Sequence, residues 1–208
     1  MSLLQLPCTL TIVRHGETPA NTGGLWHGSL DTPLTPRGER QAERVALHVA
    51  RTRGDASALY ASTLTRARRT AAPIGARLGV EVRPLAALCE YDLGAWEGKS
   101  YAELMREHRL FERMAKDPDW RPGGGESARG VATRIAGALQ GIAERHRGER
   151  VVVVTHGGAL TLGLGLLLDR DPSTWRRVMD NAAVAELQLE PAPRLLRFNE
   201  TQHLDGLA

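Results

Sequence analysis

Lysine is nearly missing from this sequence. Only Lys99 and Lys116 occur among 27 basic residues in a chain of 208, so the positive charge is almost all arginine. Against 24 acidic residues the balance is 27 − 24 = +3. The arginines alternate with acids along helical stretches, as in Arg37, Glu39, Arg40, Glu43 and Arg44. That is the pattern of a solvated helix face, not of a nucleic-acid stripe. Aromatics are scarce too, with two Phe, four Trp and three Tyr, which leaves no base-stacking platform. Nucleic acid is therefore not an expected partner.

Cysteine is limited to Cys8 and Cys89, each in an apolar run. A disulfide scaffold is excluded, and both are expected as small buried hydrophobes in a reducing compartment, the cytoplasm. No basic segment precedes the apolar N-terminal stretch, which runs straight into Arg14-His15, so no signal peptide is expected. The long apolar run at 151–168 carries a single ionisable residue, His156. Its valines favour strand, Thr155-His-Gly-Gly158 breaks it, and helical composition resumes at Ala159. It predicts a buried strand, a turn and a buried helix, and no membrane span.

What is present is alternation of strands and helices, without repeats or linkers. Residues 9–13 read as a buried strand. Thr35 caps a helix with Pro36 at its first position and an apolar stripe of Ala42, Val45, Ala46 and Val49. Residues 58–61 read as strand and 63–78 as a helix closed by Gly79, with a kink at Pro73. Ser100 and Glu103 predict a capping box. Val131, Ile135, Leu139 and Ile142 mark a helix, and 184–189 with 195–198 a final antiparallel pair. The expected fold is a three-layer α/β sandwich, a mainly parallel sheet with helices on both faces, forming one domain over 1–208.

In such sheets ligands bind beyond the carboxyl ends of strands. Two strands end alike, in Arg14-His15-Gly16 and Thr155-His156-Gly157. If both are central and parallel, the imidazoles meet at one edge. Paired histidines could hold a metal, but Arg14 would repel a cation and no carboxylate cluster completes a ligand set. An exposed histidine beside arginine suits an anion instead. Arg66, in the first turn of the next helix, should lean back toward the strand ends. Glu90 follows the apolar run 85–89, a predicted strand end, where apolar neighbours would keep a carboxyl protonated and able to donate. Asp92 and Glu97 are rivals in the following loop.

Arg14-His15-Gly16-Glu17-Thr18 with Asn21, then Ser62-x-Leu-x-Arg66, Glu90 with Gly94 and Trp96-Glu97-Gly98, and His156-Gly157 resemble the histidine phosphatase superfamily, in its phosphoglycerate mutase-like branch. The resemblance spans nearly the whole chain and includes Pro122-Gly-Gly-Gly-Glu-Ser127. It implies that His15 is a phosphoryl-accepting nucleophile and Glu90 the proton donor. Arg14, Arg66 and His156 would form the phosphate pocket, with hydrogen bonds from Asn21 and the Gly157 N–H. No metal or other cofactor is implied. The branch holds hydrolases and mutases. Where mutases carry a carboxylate clamp, this chain has Tyr91, Asp92, Leu93 and Tyr101, and Gly158 follows the second His-Gly.

The expected activity is thus a metal-independent histidine acid-type phosphatase acting on a small phosphorylated metabolite, closest in motif to broad-specificity and α-ribazole phosphatases. A cofactor-dependent mutase and a non-catalytic phospho-ligand binder are the alternatives. Pocket walls are expected from 25–30 and 101–121, with Trp26 and Trp120 as candidates for the mouth. Oligomeric state, a homodimer included, is left open.

Overall fold

The computed structural model describes residues 6–173 and 177–207; the ends of the unit expected over 1–208 and its residues 174–176 lie outside them. In chain order the elements are β1 (Thr9–Arg14), α1 (Pro19–Thr22), α2 (Pro36–Thr52), β2 (Ala58–Ala61), α3 (Thr65–Leu78) and β3 (Val82–Pro84). Then come α4 (Tyr101–Arg106), α5 (Leu110–Lys116), α6 (Ala128–Arg145), β4 (Arg150–Thr155), α7 (Gly157–Leu164), β5 (Val184–Gln188) and β6 (Arg194–Glu200). Among the described residues no helix is long and apolar enough to cross a membrane.

The strands form a six-stranded sheet in the order β3-β2-β4-β1-β5-β6. β1 to β4 run parallel, and β5 pairs antiparallel with β1 on one side and with β6 on the other. Alternating side chains divide the core by face, as a period of two requires. Leu10, Ile12, Val151 and Val153 pack with α6 and α7, whereas Val13, Val152, Val154 and Leu59 pack with α2 and α3. The expected sandwich is the one observed.

Local signals set most boundaries. The Thr35 side chain accepts the Gly38 N–H, and Gly79 closes α3 in the left-handed region at φ 70°. That helix starts at Thr65 rather than 63, because Asp31 takes the Thr65 N–H and hydroxyl. The Ser100 cap forms, but only half of the box does: Glu103 turns to Lys99 instead of the cap backbone. The run at 85–89 is not a strand end. Residues Ala86–Leu88 coil into a 3-10 turn beyond the short edge strand β3. Cys8 is buried, with its thiol pushed up to about 11 chiefly by burial, while Cys89 is only half-buried under the Ser62 and Thr63 hydroxyls.

Candidate active site

Register brings the two histidines together. β1 and β4 are neighbours at the sheet centre with Arg14 opposite Thr155, so both strands end at one level. The His15 N–H donates to the Thr155 carbonyl at 3.0 Å, and the His15 and His156 rings lie 5.1 Å apart.

Each ring is fixed in its own tautomer. His15 Nδ1 sits 2.7 Å from the Gly16 carbonyl, which can only accept; Nδ1 therefore carries the proton and Nε2 keeps its lone pair. In His156 the assignment reverses. Arg66 Nε donates to Nδ1 at 3.2 Å, so Nε2–H points to the Ser62 hydroxyl at 2.7 Å. Burial holds His15 well below the usual imidazole pKa, and the Arg14 and Arg66 charges add to it. His156 shifts the same way, from burial first and then from His15 and Arg66. Both are neutral at neutral pH. The expectation of an exposed His15 is corrected: the ring is 1% exposed, at the floor of a cleft.

That cleft has a volume of about 320 Å³ and is lined at its floor by Arg14, His15, Asn21, His27, Glu90 and Gly157. Arg14 reaches the Met179 carbonyl through Nη1, and its buried Nε has no protein partner. Asn21 Oδ1 is taken by the Thr18 N–H and by Asn181, which leaves its amide N–H groups for a ligand. Gly157 opens α7, where backbone N–H groups and the helix dipole favour anions.

Two expected residues do not reach the wall. Arg66 and His156 are fully buried behind His15. Arg66 places three of its five N–H donors on the Gly28 and Leu30 carbonyls and on His156. In this geometry they pin the 28–30 loop and the imidazole pair. Glu90 does reach the cleft, but its surroundings differ from the expected apolar ones: its carboxylate accepts N–H groups from Tyr91 at 2.8 Å, Gly158 at 2.9 Å and Ala159 at 2.5 Å. Its rivals serve loop structure. Asp92 takes the Gly94 N–H, and Glu97 clamps Ser29 and Leu30.

One floor residue escaped sequence reasoning. His27 stands edge-on to His15 at 6.0 Å with Nδ1 on the Thr32 hydroxyl, its pKa lowered to about 3 by burial, Arg66 and Arg14. The signal was there, since His27-Gly28 repeats the His-Gly pairing of the other two. Of the tryptophans proposed for the mouth, Trp26 lines the cleft, while Trp120 packs on Trp96 under Arg113. Among the described residues no group of three or more His, Cys, Asp or Glu could hold a metal.

Over residues 10–201 the sequence matches the pattern of the histidine phosphatase superfamily (branch 1). It is 33% identical over 201 residues to phosphoserine phosphatase 1 of Hydrogenobacter thermophilus, covering 94% of this chain and 93% of that one. It is 40% identical over 156 residues to phosphoglycerate mutase-like protein 4 of Arabidopsis thaliana, covering 73% and 67%. A phosphoserine phosphatase from Entamoeba histolytica, solved with 3-phosphoglyceric acid, superposes with a TM-score of 0.85 at 29% identity over 95% of this chain and 99% of that one.

Proposed function

This chain belongs to the histidine phosphatase superfamily, branch 1, and we propose that it acts as one domain hydrolysing phosphomonoesters of a small metabolite through a phosphohistidine on His15. The observation that carries this is the fixed tautomer: Nδ1–H on the Gly16 carbonyl leaves the Nε2 lone pair as a nucleophile at the cleft floor.

In the first step Nε2 forms a bond to phosphorus as the ester oxygen departs in line. Arg14, the Asn21 amide and the Gly157 N–H hold the equatorial oxygens. Glu90 passes a proton to the leaving alkoxide. In the second step water attacks phosphohistidine, Glu90 takes the proton from that water, and the N–P bond breaks to release orthophosphate. Arg66 and His156 act from behind, keeping His15 and the 28–30 loop in place. Burial, with the Arg14 and Arg66 charges, keeps His15 neutral below the usual imidazole value, which supports an acid-type phosphatase. No step calls for a metal.

Hydrolysis is favoured over isomerisation because Arg14 is the one Lys or Arg among the described lining residues, too little to grip both a phosphate and a carboxylate. The test is phosphate release beside 3-phosphoglycerate isomerisation on one preparation, with and without a chelator. Release should exceed isomerisation by orders of magnitude and ignore the chelator. His15→Ala should lose at least a thousandfold in kcat, and trapped label should be acid-labile and on His15. Matching isomerisation, or full activity in folded His15→Ala protein, would overturn the proposal.

A further inference from the structure

Above its polar floor the cleft is walled mainly by carbon. Tyr101, Phe111, Met114, Leu162 and Val178, with Thr161 whose hydroxyl donates to the Gly157 carbonyl, line the 320 Å³ cleft, and the same six side chains line a second hollow of about 140 Å³. The second hollow therefore adjoins the cleft, and Pro118, Ala128, Pro172 and Ser173 are among its other described lining residues. Rings form one side: Trp26 and Tyr101 lie parallel within 9° at 6.1 Å, and Phe111 meets Tyr101 edge-on at 6.0 Å. Leu25 and Tyr101 are 42% and 43% exposed, so the cleft has an apolar rim.

Among the described residues, charge in the cleft is confined to the floor. The Lys, Arg, Asp and Glu side chains among the described lining residues are Arg14 and Glu90 alone, and Glu90 already receives three backbone N–H donors. An ammonium or carboxylate on the alcohol half of a substrate would leave water and meet no opposite charge along these walls, which is costly. A hydrocarbon surface there is favourable, and flat rings suit ring walls.

Resting on the phosphatase reading, we propose that the alcohol half of the substrate is an apolar, ring-bearing group, an arylalkyl phosphate, whose ring passes Tyr101 and Phe111 into the second hollow. An amino-acid or glycerate ester fits the floor but wastes the walls.

Primary-alkyl esters test this with matched leaving groups: ethyl, 2-phenylethyl and 2-(2-naphthyl)ethyl phosphate beside O-phosphoserine. Each buried methylene equivalent is worth about threefold to fourfold. Therefore kcat/KM should rise at least tenfold from ethyl to phenylethyl and again to naphthylethyl, chiefly through KM, with phosphoserine no better than ethyl. In Phe111→Ala the naphthylethyl-to-ethyl ratio should fall at least fivefold. Calorimetric binding of the same esters to His15→Ala protein reads the walls independently of turnover. A flat series, or phosphoserine ahead of naphthylethyl in both assays, would overturn the proposal. Absence of turnover of every ester together with graded binding would support the pocket and instead remove the phosphatase reading.

Discussion

His15 and His156 are the same residue type in opposite tautomers, and the difference lies in one hydrogen bond each, to a carbonyl and from a guanidinium. Motif reading found both, because each follows a buried apolar strand and precedes glycine. It could not find the tautomers, which depend on Gly16 and Arg66 as folded. Nor could it find the setting of Glu90, since the Gly158 and Ala159 N–H groups arrive from 68 and 69 residues away. That setting makes Glu90→Gln informative in two ways. The amide cannot give up a proton, so esters with poor leaving groups should slow by about a hundredfold or more, and activated aryl esters by much less. An amide also puts N–H groups where N–H donors converge, which should cost about 1 to 3 kcal/mol in urea unfolding. Asp92→Asn should do neither. If it reproduces the leaving-group dependence and Glu90→Gln does not, the proton donor is misassigned.

Elements with strong periodicity were legible: the stripe on α2, the valine strand β4, and the paired β5 and β6. Those that failed had signals of equal strength for two outcomes. The apolar run before Glu90 suits a buried strand or a buried turn, and no pairing partner was left beyond β3, the edge of the sheet. Glycine roles were also hidden. Gly16 follows the nucleophile in sequence, and the contact it permits is with α2: a Cβ there would lie 2.6 Å from the Gly38 carbonyl oxygen. A Cβ on Gly38 would lie 2.1 Å from the Glu17 carbonyl oxygen. The loop carrying His15 thus docks backbone to backbone on the first turn of α2, with no side chain able to yield. Gly38→Ala has good helix propensity, yet it should destabilise by about 1 to 3 kcal/mol, the usual cost of overpacking. It should also lower kcat at least tenfold, because His15 moves with the loop. Equilibrium unfolding and single-turnover kinetics would check both. Unchanged values would mean the docking does not position the nucleophile.

At the scale of the whole molecule, placing the nucleophile at the centre of the sheet has a consequence for acid stability. His15, His27 and His156 form one cluster, each with its pKa lowered by burial first and by positive neighbours next. In the unfolded chain the same rings titrate near the ordinary value of about 6.5. Above that value neither state binds protons on these residues, and the stability they permit is fully present. Below it the unfolded chain takes up protons that the native state refuses, so stability falls as pH falls, down toward the folded pKa values. Each ring contributes a slope of up to about 1.4 kcal/mol per pH unit, hence about 4 for the cluster. His48 and His203, stacked at 4.6 Å beside α2, shift in the same direction and steepen it. Against a total stability of about 5 to 15 kcal/mol, a slope of this size should weaken the fold markedly as pH falls below about 6.5. The window between pH 6.5 and 5 isolates the histidines, because most carboxylates titrate lower. Urea midpoints across that window should drop steadily, with proton uptake on unfolding of two or more. His27→Gln should reduce that uptake by about one. A midpoint flat between pH 6.5 and 5 would show that the buried imidazoles gain protons in the native state after all. Such protonation would take the lone pair from His15 and with it the proposed chemistry.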